Sequence, residues 1–312
     1  VVLKHRSSIE TWSKQPVVFG TNTYWNFSGL SQFPTVTTTA VYAITGTSAL
    51  SGGSISSDGG SSVTVRGVCW STSPGPTVAL STKTTNGSGS GTFNSSITGL
   101  QPSTTYYIRA YATNGVGTGY GQQLTFTTPA AGQFTDIDGN IYDTIAIGTQ
   151  VWMKQNLKVS KYRNGDSIPT NLSNSTWQAT TSGAYAIYNN TATNDSIYGK
   201  LYNWYAVADS RGLCPTGWHV PGDADVLTLE NFLGGSSVAG GKMKAVSSLW
   251  TAPNTGATNS SGFTGLPGGY RNPNGTFYNI GDKGYWWSST QRSSADAWFR
   301  TLYYNYAYSY RN

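Results

Sequence analysis

Residues 104–129 read TTYYIRAYATNGVGTGYGQQLTFTTP. The first ten alternate. Tyr106, Ile108 and Ala110 fall on one side of an extended chain, and Tyr107, Arg109 and Tyr111 on the other. The first set is the smaller and more apolar and is expected to face a core. NGVGTG then stops the run with glycines suited to a tight turn, and QLTFTT resumes it. Strand, turn, strand is the reading, and it extends upstream. TVTTTAVYAI (35–44), SVTVRGVCW (62–70) and GTFNSSI (91–97) read as further strands. The clusters SGGS (51–54), SDGG (57–60) and NGSGSG (86–91) read as the turns between them. Short strands at this spacing predict a β-sandwich over 33–130.

Composition supports this. The chain has 312 residues, enough for two domains with separate cores. Charged residues are 10%, against about 25% in an average soluble domain, and aromatics are 13%. Few charges disfavour long exposed helices, and many aromatics disfavour disorder. A net charge of +6 without a Lys/Arg cluster reads as a mildly basic surface, not a nucleic-acid site. No run of 18 apolar residues predicts a membrane span. The chain opens Val1-Val2 without Met, which reads as a mature or clipped form whose targeting segment is gone. Residues 1–32 read as an arm that docks or donates a strand, with KQPVVFGTNTYWNFS (14–28) as its β-prone part. Cys69 and Cys214 make neither a disulfide framework nor a zinc site, and Cys69 on an apolar strand reads as a buried thiol.

The stretch from Leu100 to Pro129 resembles the last two strands of a bacterial fibronectin type III-like module. Leu100, Pro102, Thr104 and Tyr106 match its corner, where a tyrosine hydroxyl ties the turn to the backbone. GGSISSDGGSSVTVRGVCWSTSP (52–74) is similar to modules of Bacteroidetes surface proteins. The resemblance implies a spacer. TTPAAGQ (127–133) follows, with 131–133 read as the linker.

Residues 134–312 differ in character. DADVLTLENFLGG (223–235) has helical spacing, with Val226, Leu229, Phe232 and Leu233 apolar, an aspartate cap at Asp223 or Asp225, and Gly234-Gly235 as its stop. LYNWYAVADS (201–210) reads as a second helix. FTDIDGNIYDTIAIGTQVWMKQNLK (134–158), YGKLYNWYAV (198–207), LCPTGWHVPGDADVLTL (213–229), GFTGLPGGYRNPNGTFYNIG (262–281) and GYWWSST (284–290) are dense in unusual motifs. They resemble the Fibrobacter succinogenes major paralogous domain family, within the C-type-lectin-like and formylglycine-generating-enzyme-like fold group. The resemblance implies a buried Trp218 and His219. It also implies a Cys214 paired with a cysteine in a closing strand beside residues 141–147. Here the chain ends at Asn312 without that strand, which is expected to leave an open sheet edge.

Catalytic chemistry has few players. Cys214 and His219 suit packing better than a nucleophile pair. Asp136-x-Asp138-x-Asn140 has calcium-like spacing but lacks the distal ligands, and reads as a turn. The sugar-binding calcium motifs of C-type lectins are absent, as are the cysteines that formylglycine-generating enzymes need. The expectation is no enzyme, no cofactor and no metal. Asp143-Thr144-Ile145, Asp166-Ser167-Ile168 and Asp195-Ser196-Ile197 fit the Asp-Ser/Thr-apolar pattern of Bacteroidetes O-glycosylation, with Thr144, Ser167 and Ser196 as acceptors; ordinary polar turns are the alternative.

The chain closes with AWFRTLYYNYAYSY (297–310). As one strand it places Trp298, Arg300, Leu302, Tyr304, Tyr306, Tyr308 and Tyr310 on one face. Buried tyrosine hydroxyls need partners, so a stripe of them is unusual in a core. Tyr with Ser and Asn is also the composition of antibody paratopes. In similar lectin-like proteins of diversity-generating retroelements this region carries the variable binding residues. A ligand-facing surface, a subunit interface and plain sheet packing remain open.

The fold expected is mainly β with an α+β C-terminal domain: an arm (1–32), a fibronectin III-like β-sandwich (33–130) and a C-type-lectin-like domain (134–312). The function expected is a secreted or cell-surface adhesin projecting Trp286, Trp287, Arg300, Tyr304, Tyr306, Tyr308 and Tyr310 toward a glycan or protein ligand. The alternative is the subunit of an extracellular filament or phage fibre, self-associating by strand donation or domain contacts.

Overall fold

The computed structural model describes residues 3–4, 10–11, 31–293 and 296–312. Two short strands, β1 (Leu3–Lys4) and β2 (Glu10–Thr11), pair antiparallel. The stretch 14–28 expected to act as an arm lies outside the described residues. Gln32, the last residue of the expected 1–32 arm, is described and docks on the sandwich: its amide donates to Gly59 O at 2.6 Å, and its carbonyl O accepts from Asn114 Nδ2 at 2.6 Å.

Alternating apolar residues build the sandwich. One sheet runs β3 (Thr35–Tyr42), β4 (Ser48–Ser57), β6 (Gly91–Thr98). The other joins β5 (Val65–Ser71) to β7 (Thr105–Thr113), which also pairs β8 (Thr118–Tyr120) and β9 (Leu124–Thr127). This is a fibronectin type III-like arrangement. Tyr106, Ile108 and Ala110 do face the core, with Val68, Phe93 and Ile97. Tyr111, on the opposite parity, is also buried, because its hydroxyl reaches Thr84 O at 2.7 Å under a covering loop. The corner forms as the motif implied: the Gln101 amide donates to the Tyr106 hydroxyl oxygen at 3.0 Å. SGGS, read as a turn, lies instead in the middle of β4. The glycines serve close approach rather than a turn. A Cβ on Gly53 would lie 2.7 Å from that of Ala110 and 2.9 Å from the Phe93 ring.

The junction is built, not loose. Gly132 O accepts both the amide and the hydroxyl of Thr144 at 2.8 Å, and the Thr135 amide donates to Ile44 O at 2.7 Å. Phe134 is buried at the seam and stacks on Trp218 (4.6 Å between centroids) and Tyr142 (5.1 Å).

The C-terminal half begins with β10 (Gln133–Thr135), β11 (Ile141–Ile147) and β12 (Gln150–Met153), in that order across one sheet. The TDIDGN turn between β10 and β11 is an Asx turn. Asp136 Oδ1 accepts the amides of Asp138 and Asn140, both at 2.9 Å, and Oδ2 accepts the Tyr142 hydroxyl at 2.7 Å. Then come α1 (Asn174–Ala179), β13 (Tyr185–Ala186), α2 (Ala192–Tyr198), β14 (Leu201–Tyr202), α3 (Trp204–Val207), α4 (Asp223–Phe232) and α5 (Ser236–Met243). The chain closes with hairpin β15 (Gly268–Arg271) and β16 (Phe277–Ile280), and with sheet β17 (Lys283–Ser293), β18 (Asp296–Tyr303), β19 (Ser309–Arg311).

The helix at 223 forms where its spacing placed it. Asp225 accepts the Gly222 amide at 2.8 Å, and Gly234 and Gly235 take positive φ beyond its end. Val226, Leu229 and Leu233 face the core, but Phe232, expected with them, is exposed and lies against the Gly148 turn. Only four residues of 201–210 are helical, because Asn203 caps Ala206 and the preceding residues pair as strand. His219 is an exposed residue with its Nε2 3.2 Å from Asp225, not a buried one. Among the described residues no helix is long and apolar enough to cross a membrane.

Candidate binding face

The closing sheet has two unlike faces. Register pairs Gly284 with Leu302 and Ser309, and Trp286 with Arg300 and Arg311. This face turns inward. Leu302 is fully buried among Leu229, Leu233, Met243 and Trp250. Arg300 is 4% exposed and engaged: its Nε donates to Glu230 Oε1 at 2.9 Å and its Nη1 to Asp223 Oδ1 at 2.8 Å. Ser309 Oγ donates to the same Glu230 oxygen at 2.7 Å. Burial works against the charge of Asp223, but donors from Arg311 and Arg300 hold its carboxyl below the usual range. Arg300, expected to meet a ligand, instead ties β18 to α4. Trp286 likewise packs inward, its Nε1 donating to Asn156 Oδ1 at 3.0 Å.

The other face presents three rows: Lys283 and Tyr303; Tyr285, Thr301 and Tyr310; Trp287 and Phe299. Trp287 is half-buried there, edge-on to Phe299 at 5.8 Å, with its indole N–H on Tyr202 O at 2.8 Å.

The tyrosine run is not one strand. β18 stops at Tyr303, the chain turns through 304–308, and β19 resumes at Ser309. Alternation ends with the strand, so the expected single-parity set divides. Tyr304 packs into the inner cluster, and its carbonyl accepts the Thr255 amide at 2.7 Å. Tyr306 and Tyr308 stay 46% and 47% exposed. Tyr303, of the other parity, joins them and Tyr310. Ring centroids stand 5.0 Å apart for Tyr303 and Tyr310, 6.0 Å for Tyr303 and Tyr306, and 5.6 Å for Tyr308 and Tyr310. Lys283 Nζ lies 4.6 Å from the Tyr303 ring centre.

Helix α5 holds this turn. Lys244, just past its end, is fully buried, and its Nζ donates to the carbonyls of Thr255, Tyr303 and Tyr306, each at 2.9 Å. Three donors meet three acceptors. Burial pushes its pKa down to about 8. The Gly241 amide donates to Ala307 O at 2.8 Å, and a side chain on Gly240 would collide with the Tyr308 carbonyl. Sequence reasoning missed Gly240, Gly241 and Lys244, although a glycine pair inside a helix is unfavourable without a packing reason. It also missed Tyr303 and Lys283.

The remaining groups fall elsewhere. Cys69 and Cys214 are buried free thiols, pushed up to about 11 and about 12 by burial. Thr144 is half-buried with its hydroxyl on Gly132 O, whereas Ser167 and Ser196 are exposed.

A β-rich two-module chain thus ends in a domain whose outer sheet face carries a held cluster of tyrosines. Residues 145–312, more than half of the chain, match the model of the Fibrobacter succinogenes major domain, and the chain belongs to that family. Among solved structures, the sixth fibronectin type III domain of human fibronectin type III domain containing protein 3 is similar at 25% identity, covering 33% of this chain and 93% of that one, with a TM-score of 0.26. The sensor domain of the anti-sigma factor RsgI4 of Pseudobacteroides cellulosolvens is similar at 21% identity, covering 32% and 97%, with a TM-score of 0.25. Titin domains A168–A170 are similar at 20% identity, covering 32% of each chain, with a TM-score of 0.23. No curated protein matches the chain.

Proposed function

We propose that this is a non-enzymatic binding protein, secreted or held at the outer cell surface. A C-type-lectin-like head is carried on the sandwich as spacer, and the head grips a glycan or protein without metal or cofactor. The observation that carries this reading is the partly exposed cluster of Tyr306 and Tyr308, on a turn fastened by Lys244, with Tyr303 and Tyr310 on the strands that flank it. Tyrosine offers large contact area for little rotamer entropy, and a fastened turn loses little further freedom on binding. The test is an array of immobilised glycans and extracellular matrix proteins. The Tyr306→Ala/Tyr308→Ala variant is expected to lose about tenfold or more in affinity for whatever the unaltered chain retains. Unchanged retention removes the cluster from the site.

The second reading, a filament subunit, draws on a different observation. Phe232 and Val151 are 63% and 59% exposed beside the Gly148 turn, at the β11–β12 end of the domain. Apolar side chains left on a surface suit a contact between copies. Sedimentation of the full chain at rising concentration should then show growth that Phe232→Ser abolishes. A monomer throughout sinks it.

A further inference from the structure

A cavity of about 330 Å3 opens at the far end of the outer aromatic face, where α3 meets β17. Its lining includes Ser182, Trp204, Tyr205, Asp209, Arg211 and Gln291. The volume lies at the lower end of the range that holds small ligands, about 300–1,000 Å3. It is joined to the sheet by rings. Trp204 lies 6.0 Å from Trp287, which lies 5.8 Å from Phe299, then 6.1 Å to Tyr285 and 4.8 Å to Tyr270. A register shift in β17 between Trp287 and Gln291 marks a bulge that carries Gln291 to the cavity wall.

The polar wall is pre-set. Arg211 donates from Nε and Nη2 to Asp209 at 2.9 and 2.8 Å, and from Nη1 to Asp166 at 3.1 Å. Hydrogen bonds from Arg211 hold the Asp209 pKa down to about 2, so it stays ionised. Arg211 also lies over the Tyr162 ring at 4.0 Å, which fixes the guanidinium plane. Two guanidinium N–H groups remain for a ligand. The Gln291 amide gives its own N–H to Ser293 O at 2.7 Å, which leaves its carbonyl oxygen as an acceptor. Asp209 and Arg211, the charged residues of the lining, balance each other, so the wall favours neither sign of ion and suits a neutral ligand.

We propose that this cavity is a subsite for a neutral pyranose. Such a ring offers C–H groups to the half-exposed Tyr205, which the buried Trp204 backs, and hydroxyls that accept from Arg211 and donate to Gln291. The ring path toward Tyr270 suits further residues of an extended glycan. The subsite is separate from the tyrosine cluster, so the two can fail independently.

The experiment is saturation-transfer NMR of the full chain with cellobiose, maltose, xylobiose and methyl mannoside, and with glucuronate as the anionic comparison. At least one neutral sugar is expected to bind with a Kd below about 10 mM. Tyr205→Ala and Gln291→Ala are each expected to weaken that binding about tenfold, and Tyr306→Ala/Tyr308→Ala to leave it unchanged. The exposed Gln291 serves as the variant that keeps the fold. Binding of glucuronate alone, no binding of any neutral sugar, or equal binding by the Tyr205 and Gln291 variants overturns the assignment. Loss only in the Tyr306→Ala/Tyr308→Ala variant also overturns it, while leaving the tyrosine cluster standing as a site.

Discussion

Glu230→Ala will destabilise the C-terminal domain by about 3 kcal/mol, the low end of the cost of breaking a buried ion pair. Glu230 is 4% exposed, and one of its oxygens accepts from both Arg300 and Ser309. Removing it leaves Arg300 buried with half its charge unmatched and Ser309 without an acceptor. Asp223 still holds Arg300 Nη1 at 2.8 Å, which keeps the cost from reaching the top of the range. The loss falls on α4, β18 and β19 together, so the outer tyrosines should become mobile in the same variant. Urea unfolding followed by tryptophan fluorescence, with the sandwich transition as internal reference, measures it. Arg311→Ala is the contrast. That side chain is 44% exposed and meets the same Asp223, so its removal should change stability by less than about 1 kcal/mol. Equal effects from the two would mean the Glu230 pair is not a structural tie.

Lys244→Met should cost about 2–3 kcal/mol and carries a pH signature. Methionine fills much of the lysine's volume but leaves three carbonyls without their donor. Part of that cost is offset because the variant no longer buries a charge. In the folded chain Lys244 loses its proton near pH 8, whereas unfolded it holds it to 10.5. Between those values the unfolded state binds more protons, so stability from this group rises with pH across the window. Below pH 8 both states are protonated and the slope vanishes. Denaturation midpoints measured from pH 7 to 10.5 in both proteins test this. The difference between wild type and variant should widen above pH 8, and a constant offset would show that Lys244 keeps its ordinary pKa. Because Lys244 holds Tyr303 and Tyr306 by their carbonyls, the variant should also lose ligand affinity at temperatures where it remains folded.

The sandwich was nearly all legible, since strands that alternate between core and solvent write their burial into the sequence at period two. The exceptions are instructive. SGGS looks like a turn because glycine in a strand resembles punctuation, yet its reason is the Ala110 and Phe93 side chains, remote in sequence. The same blindness hid Gly240 and Gly241, whose missing side chains admit the backbone of residues 307–308.

The tyrosine run shows where local patterning ends. Parity grouped Arg300 and Tyr304 with Tyr306, Tyr308 and Tyr310, and that holds only while the strand continues. One turn at 304–308 moved Tyr304 inward and brought Tyr303 out. Likewise the cavity assembles Ser182, Trp204, Arg211 and Gln291 from distant segments, and no spacing predicts that meeting.

From the sequence alone come the β-rich class, the two modules, the corner tyrosine, the α4 helix and the family, because each rests on local periodicity or contiguous motifs. Which aromatic rings face solvent, which charges are buried in pairs, and where the junction closes were decided only by the tertiary structure. Those depend on what packs against each face, and the partner is always a residue far along the chain.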